Sequence, residues 1–154
     1  MKYVIPSFEI MDLYTKDAPE IMVLITSDCL THRDISNFIT TTPVPDIIKA
    51  DEISIITPET MIENSLQELI YHEACVEAEI RYNSLIKAGV SPQIAHKILP
   101  LGMKVQYFVL ADKFMWKTIF RRINAIGTYP ETRVLMNELN KALNQKYGDQ
   151  IPLI

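Results

Sequence analysis

The spacing of apolar positions changes character near Pro58. Before it, β-branched residues fall in short runs punctuated by Pro6, Pro19, Pro43, Pro45 and Pro58. Tyr3–Ile10, Ile21–Thr26 and Ile53–Thr57 therefore read as short strands. Thr40–Asp46 is expected to be a loop, because its two prolines remove backbone donors and restrict the residues before them. After Pro58, Ile62, Leu66, Ile70, Ala74 and Ala78 recur at helical spacing and Leu85 ends the stripe, which predicts one long amphipathic helix over about 59–88. Gly89 is expected to close it in the left-handed conformation.

Ser91 followed by Pro92 predicts a capped short helix running to about Ile98. Val105–Leu110 reads as a strand buried on both faces. Asp112 is placed to cap a helix over about 113–125. Thr128-Tyr129-Pro130-Glu131 has the form of a capping box opening a last helix to about Tyr147, just before Gly148. No repeat interrupts this order. The expected fold class is α+β, a small sheet from the first half and one central strand packed on long helices, as a single domain over 1–154.

Composition narrows the partners. A chain of 154 residues can bury a core without disulfides or metal. Its formal charge of -4 opposes nucleic-acid binding, which calls for a basic balance or stripe. Cys29 and Cys75 alone make neither a zinc site nor a disulfide framework, and they fit a reduced, cytoplasmic setting as small hydrophobes. The first residues meet Pro6, Glu9 and Asp12 before any signal-peptide core could form, and no apolar run is long enough to span a membrane.

Several segments carry a shared likeness. Tyr82–Pro100, "YNSLIKAGVSPQIAHKILP", joins a tyrosine, Ala-Gly, a Ser-Pro-Gln cap and a Leu-Pro ending. Ile55-Ile56-Thr57-Pro58 precedes the long helix, Ala111-Asp112 is followed by Trp116, and Tyr129-Pro130-Glu131-Thr132-Arg133 opens the last helix. Together with the opening Met1-Lys2 and Pro6–Ile10, these resemble the flavin-dependent thymidylate synthases. The resemblance covers about 52–147 well and the first half poorly. It implies an α/β-mixed fold, a homotetramer with shared active sites, and conversion of dUMP to dTMP with methylenetetrahydrofolate and reduced FAD.

The family's hallmark, Arg-His-Arg-x-x-Ser, meets "THRDIS" at Thr31–Ser36. In one register His32, Arg33 and Ser36 are a remnant flavin site, with Thr31 replacing the first arginine, Thr41 a serine and Pro43 a later arginine. In the other, "DCLTH" matches the segment before the hallmark and Ser36-Asn37-Phe38 replaces the hallmark itself. No counterpart of the family's Gly-His-x-Ser-x-x-Glu-His segment fits between residues 10 and 30. Each charge-assisted contact to a pyrophosphate contributes roughly 1.5–3 kcal/mol, so losing several removes most of the affinity. No cofactor is therefore expected, and FAD only if the chain is a compact working synthase.

What the resemblance leaves is a nucleotide site. Arg133 stands in the best-matched motif, and the N-terminus of its helix favours anions. Arg121 and Arg122 lie near the arginine that ends the preceding helix in the family, and Lys97 with His96, which replaces a nucleotide-binding arginine, could add donors. Ordinary structure accounts for each as well: an ion pair for Arg133, solvated helix-end cations for Arg121 and Arg122, a packed His96, a plain turn at His32 and Arg33. No catalytic or metal residue is assigned. The expectation is a nucleotide-binding homo-oligomer, a tetramer by resemblance, that sequesters or senses its ligand. The alternatives are an active compact synthase and a structural subunit pairing with an intact one.

Overall fold

The computed structural model describes residues 1–13, 20–44, 53–58, 61, 63–124 and 127–147. The fold class is α+β, as expected. The chain divides into two compact units, Met1–Ile5 with Ile47–Lys104, and Pro6–Asp46 with Val105–Ile154. The expected strand Tyr3–Ile10 is broken at Ile5 and Pro6, and its two parts belong to different units.

In the first unit, β1 (Lys2–Val4) pairs in parallel with β5 (Ser54–Ile56), Tyr3 opposite Ile55. Helix α2 spans Leu66–Lys87, later than the expected start. The Ser65 hydroxyl accepts the Glu68 N–H at 3.1 Å and the Glu68 carboxylate accepts the Asn64 N–H at 2.6 Å. This is capping-box chemistry, moved one residue outward. Gly89 follows the helix with φ +85°, in the left-handed region as expected. Helix α3 (Pro92–Ala95) continues into a 3-10 turn, His96–Ile98.

The buried face of α2 is not the expected stripe. Cys75 and Tyr82 are buried with Ile53, Ile55 and Ala95, and Tyr71, Leu85 and Ile86 pack partly against them. Leu66, Ile70 and Ala74 are exposed. The helix is apolar on two sides, and the wetter-looking side, with two tyrosines and a cysteine, is the one that packs. Tyr71 reaches the Ile56 carbonyl at 2.9 Å over Gly102, where any side chain would collide with its hydroxyl.

In the second unit, β2 (Ser7–Leu13), β3 (Glu20–Asp28), β6 (Lys104–Asp112) and β4 (Thr41–Pro43) form one sheet in the order β2-β3-β6-β4. β2 and β3 are antiparallel, from Ser7 opposite Thr26 to Leu13 opposite Glu20. Thr41–Pro43, expected as loop, pairs antiparallel with β6. The edge position explains it, since a proline there forfeits no inner ladder bond. Residues 45 and 46 of that expected loop lie outside the described ones.

β6 is buried on one face, through Tyr107, Val109 and Ala111, while Leu110 is exposed. The expectation of burial on both faces is corrected: the apolar run Tyr107–Ala111 alternates after all. Against this face lie α4 (Lys113–Ile123) with Trp116, Ile119, Phe120 and Ile123, and α5 (Pro130–Tyr147) with Leu135, Met136, Leu139 and Leu143. Burying each such side chain is worth about 1.5–3 kcal/mol. Asp112 caps α4 as expected, its carboxylate accepting the Met115 N–H at 2.7 Å.

Candidate functional site

The segment Thr31–Ser36 is helical, not a turn. Helix α1 spans Cys29–Ser36, and Asp28 caps it by accepting the Thr31 N–H at 2.6 Å. A strand ending in Asp28 hands the chain directly to this helix. The helical period then separates the six side chains. Thr31, Asp34 and Ile35 turn into the core, while Arg33 is exposed.

His32 and Ser36 converge on β4. The His32 Nε2 lies 2.9 Å from the Thr41 hydroxyl, and the Ser36 hydroxyl 3.2 Å from the same oxygen. The imidazole tilts over the Tyr107 ring at 4.4 Å, and the Tyr107 hydroxyl meets that of Ser27 at 3.1 Å. Burial disfavours charge, so it lowers the His32 pKa below the usual imidazole value and pushes the Tyr107 phenol far above its own.

Asp34 reaches the other way, to the start of α5. Its Oδ2 accepts the Tyr129 N–H at 2.8 Å and lies 3.3 Å from the Thr132 hydroxyl, which is also 3.3 Å from that of Thr31. The second carboxylate oxygen is 3.5 Å from the exposed Arg33 guanidinium. The N-terminus of α5, expected as an anion site, thus already holds an anion of the chain itself. Burial, then Glu131 and Asp28, raises the Tyr129 phenol pKa.

The other candidates are spread over the two units. Arg133 is exposed in the first turn of α5, and its N–H donates to the Tyr129 carbonyl at 3.2 Å. Arg121 and Arg122 are exposed in the last turn of α4. Arg122 lines an apolar cleft of about 140 Å3 with Phe38, Phe114, Met115, Thr118 and Ile119. His96 and Lys97 belong to the first unit, where the His96 ring lies 5.6 Å from that of Tyr82 and Lys97 is exposed. Asp34 was not among the expected site residues. A lone acid between an arginine and an isoleucine carries no motif, although the i, i+3 spacing to Thr31 could have put both on one face.

Cys29 is half-buried and Cys75 buried, and burial raises the pKa of both thiols. Among the described residues no His, Cys, Asp and Glu cluster could hold a metal, and no helix is long and apolar enough to cross a membrane.

The thymidylate synthase complementing protein family model matches residues 15–147. The chain belongs to the thymidylate synthase complementing protein family. The match takes in α1, β6, α4 and all of α5, the elements that carry the candidate side chains of the second unit. No curated protein matches by sequence. Among solved structures, PolB, a UMP/dUMP methylase from Streptomyces cacaoi, is similar with 5-Br UMP bound, at TM-score 0.71 and 10% identity over 94% of this chain and 92% of that one. The same methylase bound with 5-Br dUMP gives TM-score 0.71 and 10% identity over 94% and 93%. At that identity the likeness is one of fold. Within the poorly resembling first half, the family match begins at residue 15, so it takes in β3 but not β2.

Proposed function

We propose that this member of the thymidylate synthase complementing protein family binds a pyrimidine nucleoside monophosphate without the family's usual flavin chemistry. It acts in the cytoplasm as a homo-oligomer, a tetramer by family resemblance, that sequesters or senses the nucleotide. The observation that carries the reading is the use made of "THRDIS". Thr31, which in one register takes the place of the first hallmark arginine, is 2% exposed against Thr132, and Thr41 engages both His32 and Ser36. The residues of this segment are a poor fit to an FAD pyrophosphate. Arg33 is the one exposed cation of the segment and faces Asp34, whereas a pyrophosphate needs several fixed donors.

The nucleotide half of the reading draws on the family and on similar solved folds bound to 5-Br UMP and 5-Br dUMP. Arg133, Arg122 and Arg121 offer planar, always-charged donors suited to a phosphate or a uracil edge. Lys97 and His96 are the lesser contributors. The second reading, an active compact synthase converting dUMP to dTMP, is favoured by the retention of His32, Arg33 and Ser36 on one helix. Calorimetric titration with dUMP, UMP and FAD separates the two. Micromolar dUMP or UMP binding with no FAD heat supports the first, and stoichiometric FAD binding replaces it with the second.

A further inference from the structure

We propose that Asp34 is a positioning residue for nucleotide binding: held on α1, its carboxylate fixes the first turn of α5 and so the direction in which Arg133 is presented. This rests on the reading of Arg133 as a nucleotide contact. The connection runs through one residue, Tyr129. Asp34 Oδ2 accepts the Tyr129 N–H at 2.8 Å, and the Tyr129 carbonyl accepts the Arg133 N–H at 3.2 Å. The residue that precedes Pro130 is therefore gripped at both ends, by the acid and by the arginine's own backbone.

The first N–H groups of a helix have no partner within it, and Pro130 contributes none, so an outside acceptor decides how this turn is set. Asp34 is that acceptor from 95 residues away in sequence, and it is 7% exposed. The Thr132 hydroxyl, shared between Asp34 and Thr31, closes the same joint from the next residue before Arg133. A long, flexible arginine side chain binds better when its base cannot wander, because less freedom is lost on contact.

The test is a double-mutant cycle on the full chain with dUMP as the calorimetric probe. Asp34→Ala is expected to weaken dUMP about three- to tenfold, and less than about twofold in an Arg133→Ala background. Asp34→Asn keeps an acceptor for the Tyr129 N–H and should stay within about twofold of the parent. If Asp34→Ala fails to fold, Thr132→Val takes its place, with about a two- to threefold loss that again vanishes without Arg133. Equal losses with and without Arg133, or no loss in a folded Asp34→Ala, overturn the positioning role and leave the nucleotide site intact. A parent that binds no pyrimidine nucleotide overturns the site and this role together.

Discussion

His32 and Thr41 are joined side chain to side chain, imidazole Nε2 to hydroxyl at 2.9 Å, between α1 and the edge strand β4. The bond commits His32, which one register of the resemblance makes a remnant of the hallmark, to the protein's own surface, and Ser36 shares the same oxygen. For His32 and Ser36 to turn from Thr41 to a flavin pyrophosphate both contacts would have to break, and Arg33 is the segment's exposed cation. The purified protein should therefore be colourless, without the flavin absorbance bands, and FAD added at low micromolar concentration should give no binding isotherm. A stoichiometric yellow protein would defeat this.

The same histidine gives a pH signature. Burial lowers its pKa in the folded state from the usual imidazole value of about 6.5. The unfolded chain then binds more protons in the window between the two values, so stability rises with pH there. His32 contributes fully above about 6.5, and its contribution falls as pH drops through that value, levelling once the folded imidazole is protonated too. Melting temperatures of the parent and His32→Gln from about pH 5 to 7.5 should converge at the acid end. Parallel curves would mean that His32 titrates alike in both states.

Much of this geometry was legible in advance wherever a local rule had no rival. Asp112 before an apolar period gave the α4 cap, and Gly89 after one gave the left-handed stop. The misreadings share a cause, which is that local pattern yields to tertiary context. Pro43 argues for a loop until an edge of β6 is available to pair with. The α2 stripe was assigned by apolarity, but Tyr71, Cys75 and Tyr82 pack instead, because apolar residues flank both sides of that helix. Ser65-Leu66-Gln67-Glu68 has the form of a capping box, a local signal that the expected start at about residue 59 passes over. The role of Asp34 at the start of α5 could not be read. Its partners Tyr129 and Thr132 are remote in sequence, and only the fold brings them to α1.

The side of α2 away from the core leads to a prediction about assembly. Leu66, Leu69, Ile70, Val76 and Ile80 are all exposed, and at 100° per residue they fall within an arc of about 120°. Such a face on a helix already buried on its other side is usually covered by another surface. Light scattering at micromolar concentration should give a homo-oligomer, with a tetramer expected. Ile70→Glu combined with Ile80→Glu should dissociate it, since charges buried at an interface are costly. A parent that is monomeric at that concentration removes both the interface and any site shared across it.

Arg133 carries the sharpest prediction about the ligand. It stands in the first turn of α5, exposed, with its backbone N–H bonded to the Tyr129 carbonyl. Its guanidinium therefore starts from a fixed base beside a helix end where Asp34 already accepts the Tyr129 N–H. A planar arginine is suited to two parallel bonds with a phosphate, or to a single bond with a uracil carbonyl. Truncating it removes a charge-assisted contact worth roughly 1.5–3 kcal/mol, or about ten- to a hundredfold in affinity. Because the side chain is exposed, Arg133→Ala should leave the melting temperature nearly unchanged. Lys97→Ala, a flexible point charge in place of a fork, should cost less. Titration of the three proteins with dUMP, then with other mono-, di- and cyclic nucleotides, reads both differences. If a nucleotide binds the parent and Arg133→Ala equally well, the pocket lies elsewhere and the family motif at the start of α5 does not mark it.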